Sequence, residues 1–151
     1  MQKEVILVVE DDKNLVITLK SILEEQFEVR TTVWGTVALE DVKNGIPDLV
    51  LLDIMLPGMN GMQVLEGMQK YDPKLPVLMI TGYGCAETAA KALRLGAAGY
   101  INKPFDYEEL IQKIRYALRS SRRVKRGKMF NRLKRMKHSV GDVTGSLFSK
   151  K

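Results

Sequence analysis

The chain is poor in the residues that build covalent or soft-metal frameworks. Cys85 is its only cysteine and His138 its only histidine. A disulfide within the chain is therefore impossible, and a zinc site of the usual Cys/His kind is out of reach. No apolar run approaches the roughly 20 residues that a bilayer-spanning helix needs. The opening MQKEVILVVEDD has a short apolar run that ends in three acids, which does not suit a secretory leader. Internal repeats and low-complexity segments are also lacking. These absences lead us to expect a protein of a reducing, cytoplasmic setting.

What is present suits a folded body. Of 151 residues, 45% are apolar and 28% charged, which is enough apolar material for one domain with its own core. The net charge of +6 is unevenly spread: from Arg119 onward there are 12 Lys and Arg against Asp142 alone, a balance of +11. The first 118 residues carry the other 12 bases and 17 acids, a balance of −5. We therefore read 1–118 as an acidic domain and 119–151 as a basic C-terminal tail.

Within the body two periodicities alternate. EVILVV (4–9) reads as a buried strand, and Leu15, Leu19, Ile22 and Leu23 then fall on one helical face. FEVRTT (27–32) alternates as a strand. TVALEDVKN (36–44) is helical and stops at Gly45, a suitable helix end. DLVLLD (48–53) is a strand, and Val64, Leu65 and Met68 mark a short helix after Gly61. PVLMIT (76–81) is a strand with proline at its start, AETAAKALRLG (86–96) a helix and AGYIN (98–102) a fifth strand. The last helix opens at Asp106 with Glu109 three residues on, in the manner of a capping box, and Leu110, Ile114 and Ala117 form its apolar face. Five strands alternating with five helices predict an α/β fold with a doubly wound parallel sheet.

Ligands of such sheets bind beyond the carboxyl ends of the strands. There the sequence places Glu10, Asp11 and Asp12 after the first strand, Asp53 at the end of the third, Thr81 at the end of the fourth, and Lys103 after the fifth. Each has an ordinary structural reading alone: acids cap helices, threonine favours strands, and lysine is commonly solvated. Asp53 is harder to set aside, because a charge closing an apolar strand needs partners. Taken together, the group suits phosphoryl chemistry. Clustered carboxylates repel unless a cation neutralises them, and oxygen-only donors select a hard ion such as Mg²⁺. An ammonium and a hydroxyl complete what a phosphoryl group requires. Asp53 can itself be the nucleophile, forming an acyl phosphate. Pro57 and Gly58 turn the chain just after it.

The segments VVEDD, LLDIMLPGMNG, MITGYG and GYINKPFD resemble, in order and spacing, the response-regulator receiver domain of two-component signalling, over residues 4–118. The resemblance implies a flavodoxin-like fold with strand order 2-1-3-4-5. It implies Asp53 as phospho-acceptor, Asp11 as direct Mg²⁺ ligand, Glu10 acting through water, and the backbone carbonyl of Met55 as a further ligand. It also implies Thr81 as switch hydroxyl, Lys103 as the active-site lysine, Tyr100 as switch aromatic, and a cis bond at Lys103–Pro104. Asp12 is left to cap the first helix. The implied partners are a sensor histidine kinase or histidine phosphotransfer protein upstream, and a downstream target or second copy meeting the face made by residues 84–118. Met55 and Tyr83 are bulky where an acid or amide would help water attack, so a long-lived phosphate is expected.

Two other classes share some of these features. A Mg²⁺-dependent phosphatase of the haloacid-dehalogenase kind would carry Asp-x-Asp after its first strand, whereas Asp53 follows the third and Met55 stands two residues on. The other is a receiver scaffold that only carries its basic tail. In that tail Met129, Leu133, Met136 and Val140 keep a helical spacing after Gly127, which reads either as a basic amphipathic helix or as a disordered segment. Such a helix suits anionic membrane, nucleic acid or a partner groove. Phe130 and Phe148 lie too far apart for stacking on single strands, and no motif for base reading is present. Trp34 is expected to be a partly exposed packing residue and Cys85 to be solvent-accessible.

Overall fold

A computed structural model describes residues 2–82 and 84–121. The elements run β1 (Val5–Val9), α1 (Lys13–Leu23), β2 (Glu28–Thr32), α2 (Gly35–Lys43), β3 (Leu49–Asp53), α3 (Gly61–Tyr71), β4 (Val77–Thr81), α4 (Ala86–Arg94), β5 (Gly99–Asn102) and α5 (Tyr107–Ser120). All four strand pairings are parallel and the order is β2-β1-β3-β4-β5. The fold is the expected five-stranded, doubly wound one.

The two faces of the sheet are built by strict alternation. Leu7, Val9, Val50, Leu52, Val77 and Met79 pack with Ala38, Leu65, Met68 and Ala92, on the side covered by α2, α3 and α4. Ile6, Val8, Leu49, Leu51, Leu78 and Ile80 pack with Leu19, Leu23, Leu110 and Ile114, on the side covered by α1 and α5. The central strands β1, β3 and β4 are buried throughout, which is why they read as apolar runs up to Asp53 and Thr81 at the ends of β3 and β4. The edge strand β2 leaves Glu28, Arg30 and Thr31 exposed, and so it carries the polar residues.

Local signals set most boundaries. Asp12 caps α1, its carboxylate accepting from the N–H groups of Asn14 and Leu15 at 3.0 and 3.2 Å. Gly45 and Gly96, with φ of 71° and 103°, end the segments after α2 and α4 in a conformation that a side chain would resist. Three details differ from expectation. The third helix is not short: α3 has 11 residues, as many as α1, because Asn60 and Gln63 form a reciprocal capping box at its start. At α5, Asp106 accepts from the Glu108 N–H at 3.1 Å, so the cap is made from the aspartate side. Strand β3 begins at Leu49, because Asp48 is used otherwise: its carboxylate accepts the Val5 N–H at 2.7 Å and ties the start of β1 to the approach to β3.

Gly61 opens α3 directly beneath the end of β3. A Cβ there would fall on the Asp53 carbonyl and the Ile54 Cα, both backbone, and neither can swing away. Gly61→Ala should therefore cost about 1–3 kcal/mol as an overpacked site, read as a lowered urea midpoint. Leu65→Ala, which empties a fully buried position, should cost about 2–5 kcal/mol in the same measurement. Ile17→Ala, on an exposed helical face, should stay within about 0.5 kcal/mol.

Candidate functional site

The strand ends converge as the connectivity requires. Alternation puts Glu10 in line with Ile6 and Val8, Asp53 with Leu49 and Leu51, and Lys103 with Ile101, all on the α1/α5 side of the sheet. The ladder continues past the strands, since Glu10 N–H donates to Thr32 O at 3.1 Å and Lys103 N–H to Thr81 O at 2.8 Å. Three residues far apart in the chain thereby reach one point. The Lys103 ammonium donates to Glu10 Oε1 at 2.6 Å and to Asp53 Oδ2 at 2.9 Å.

Both carboxylates are enclosed: Glu10 is 0% and Asp53 4% exposed. Each has further donors. Glu10 Oε2 accepts from the N–H groups of Asp11 and Asp12 at 3.0 and 3.1 Å. Asp53 Oδ1 accepts from the Met55 N–H at 3.1 Å. Burial pushes the Glu10 carboxyl up to about 7, with the Lys103 bond opposing it and Asp53 adding to it. Burial pulls the Lys103 ammonium down, but the two carboxylates outweigh it and hold its pKa above the usual lysine range. The site thus has more negative charge than its one ammonium balances.

Asp11 supplies the third carboxylate. It is exposed, and one oxygen each from Glu10, Asp11 and Asp53 lies within 4.8 Å of the others. Hard oxygen donors, excess negative charge and one carboxylate facing solvent are a donor set that fits a magnesium ion. Met55 follows on the turn after Asp53 with its side chain 53% exposed at the rim.

Thr81 is fully buried at the end of β4, beside Asn102 of β5 in register. It lies on the other face of the sheet, in line with Val77 and Met79, and Tyr100 packs on that face too. The Tyr100 hydroxyl oxygen is buried and has no hydrogen-bond partner among the described residues. The Lys103–Pro104 bond is cis. Tyr83 and the tail from residue 122 lie outside the described residues.

Two contributors escaped the sequence reading. Asp48 is buried and structural, and its signal was an acid immediately before an apolar strand. Gly84 is the second: a Cβ there would fall on the Asn102 side chain and lie 3.2 Å from the Tyr100 hydroxyl oxygen. Its signal was only a second glycine in MITGYG. Trp34 is 52% exposed at the start of α2 and makes no side-chain capping bond. Cys85 is exposed, as expected, at the start of α4.

Comparison with known proteins agrees with this geometry. The model of the response regulator receiver domain family matches residues 6–115. The transcriptional regulatory protein YkoG of Bacillus subtilis is 39% identical over 122 residues, which cover 80% of this chain and 54% of that protein. The regulatory protein AtoC of Escherichia coli is 39% identical over 114 residues, covering 75% of this chain and 25% of its own length. The chain thus spans about half or less of the curated relatives it matches. Among solved structures, a CheY-like receiver domain protein from Methanospirillum hungatei superimposes with a TM-score of 0.77 at 34% identity, covering 81% of this chain and 98% of that one. The receiver domain of NtrX from Brucella abortus has a TM-score of 0.70 at 40% identity, covering 76% and 98%. With an acid cluster bridged by lysine at the carboxyl edge of a 2-1-3-4-5 sheet, and a family model that spans nearly the whole described body, the chain belongs to the response regulator receiver domain family.

Proposed function

We propose that Asp53 is the phospho-acceptor of this receiver and that its phosphorylation by a histidine kinase or phosphotransfer protein sets the signalling state. The observation that carries the reading is the Lys103 ammonium held between Glu10 and Asp53, with Asp11 in the same cluster. An oxygen of Asp53 attacks the phosphorus of the donor, the donor's phosphorus–nitrogen bond breaks, and the imidazole leaves. Lys103 holds Asp53 in place and offsets the charge that builds on the phosphoryl oxygens. Glu10, Asp11 and Asp53, with the Met55 carbonyl, would hold Mg²⁺, which supplies charge neutralisation at the transferring group.

Thr81 and Tyr100 are the proposed output elements. A phosphoryl group on Asp53 offers the Thr81 hydroxyl a new acceptor. Tyr100, packed on the same sheet face with its hydroxyl enclosed, is the aromatic proposed to repack in response. Contacts that exist only with phosphate present shift the balance between two packings. The face made by α4, β5 and α5 then meets a downstream partner or a second copy. The basic tail from Arg119 is proposed as an auxiliary anionic-surface contact, with membrane, nucleic acid and protein as its candidate surfaces. We assign no catalytic turnover to the chain beyond taking up and losing its own phosphate, in a cytoplasmic setting.

Met55 and Tyr83 are proposed to slow that loss, since the bulky Met55 side chain stands at the rim and offers no group to orient a water.

Incubation with acetyl phosphate and Mg²⁺ should add one phosphoryl-sized mass increment to the full chain, and Asp53→Asn should abolish it. Catalytic consumption of acetyl phosphate without a stable increment would instead favour a phosphatase, and no change at all a scaffold. Met55→Asn should speed loss of the increment about tenfold, a barrier change of about 1.4 kcal/mol, followed by intact mass over time. An unchanged rate would remove Met55 from the account.

A further inference from the structure

A recess of about 260 Å³ opens beside the acid cluster, between the start of α1 and the end of β2. Val16 and Ile17 of α1 and Val33, just past β2, give it apolar walls. Glu10 and Asp11 form another edge, so Asp11 borders both the recess and the acid cluster. The phosphoryl chemistry above makes no use of the recess. Ile17 is nevertheless 66% exposed, and Trp34, next in the chain after Val33, is 52% exposed. Apolar side chains left open to that degree gain when they are covered.

The surrounding charge narrows what can cover them. At this end of the body Glu10, Asp11, Asp12 and Asp53 outnumber Lys13 and Lys103. Asp11 enters no ion pair among the described residues. An apolar recess with an acidic edge suits a cationic amphipathic segment and repels an anionic one. The chain supplies such a segment. Residues 122–151 hold eleven Lys and Arg and one Asp. Within them Leu133, Met136 and Val140 keep the spacing i, i+3, i+7, with Lys134, Arg135 and Lys137 among them.

The connection is long enough. Ser121, just past α5, shares a groove with Pro76 and Ala98, each directly before a strand, so the tail leaves the body at the amino ends of the strands. The recess lies at the carboxyl ends, about 21 Å back along a helix of α5's length. It is one helix over, about 10 Å, since α1 and α5 pack on the same sheet face. The eleven residues 122–132 extend to about 36 Å, which exceeds the sum of those two steps.

We propose that residues 133–140 of the chain's own tail dock in this recess and screen Asp53 from phosphodonors. Leu133, Met136 and Val140 cover the apolar walls, while Lys134, Arg135 and Lys137 gather toward Asp11. The anionic surface met by the tail is then this chain's own body. Tethering favours this occupant, because a short linker holds the segment at an effective concentration on the order of millimolar. The screening rests on Asp53 being the phospho-acceptor, whereas the docking does not.

The test uses the full, unphosphorylated, ¹⁵N-labelled chain carrying Cys85→Ser and Ser139→Cys, with a nitroxide on the introduced thiol. Amides at 11–17 and 31–34 should broaden, and about 1 M salt, which shortens the screening length to about 3 Å, should relieve the broadening. Leu133→Gln with Met136→Gln, which keeps every charge, should relieve it too. So should Ile17→Gln, at an exposed position that leaves the core untouched. Without the nitroxide, the Leu133→Gln, Met136→Gln chain should take up phosphoryl from acetyl phosphate and Mg²⁺ about tenfold faster than its parent, the factor for a recess covered roughly nine-tenths of the time. Broadening that is absent, or centred elsewhere on the body, would overturn the proposal. Unchanged broadening in the glutamine variant would reduce the contact to loose charge attraction and overturn it as well. Broadening of a ¹⁵N chain by the nitroxide of a separate chain would give the recess to a second copy instead. Equal uptake rates would remove the screening. Uptake by neither chain would sink the phospho-acceptor reading, and the broadening alone would then judge the docking.

Discussion

One lysine holds the site together. The Lys103 ammonium lies 2.6 Å from Glu10 and 2.9 Å from Asp53, and both carboxylates are buried. Without it, two enclosed negative groups would face each other, a situation that proteins avoid by protonation or by unfolding locally. The three groups come from positions 10, 53 and 103, so the contact needs β1, β3 and β5 to end at the same level. Parallel pairing with matched register provides this, since Val9 lies beside Leu52, Asp53 beside Ile80 and Thr81 beside Asn102.

The single ammonium leaves the site short of positive charge, a deficit that the proposed Mg²⁺ would make up. Glu10 is pushed up to about 7 because burial penalises its charge more than Lys103 relieves it. Asp11, beside it, is the one carboxylate of the three that faces solvent. The two faces of the sheet then divide the labour. Glu10, Asp53 and Lys103 lie in line with the α1/α5 core, and Thr81 and Tyr100 with the α2/α3/α4 core. Thr81 ends β4 at the same edge of the sheet as Asp53, on the opposite face. Gly84 keeps the space beside Asn102 and the Tyr100 hydroxyl clear of a side chain.

Reading the sequence located every strand, because a parallel sheet covered on both faces leaves unbroken apolar runs such as VILVV and VLMIT. It also located the helices, from period and caps, Asp12 and Gly45 among them. It understated α3, because Val64, Leu65 and Met68 span only the buried stripe, and the turn before them belongs to the capping box of Asn60 and Gln63. Asp48 passed for a strand residue because a carboxylate that accepts a backbone N–H 43 positions away has no local signature. Gly84 was invisible for the same reason, as its neighbour Asn102 lies 18 residues on.

From residue order alone came the alternation of strands and helices, the acids and lysine at strand ends, and the division between acidic body and basic tail. These are properties of spacing and composition, and spacing decides which side chains share a face. Tertiary structure decided which of those end residues touch, since Lys103 bonds both Glu10 and Asp53 while Asp12 turns away to cap a helix. It also placed Lys74, ahead of β4, and Arg119, on α5, around one hollow. Contacts of this kind depend on register and on the direction of packing, which are settled between elements and not within them.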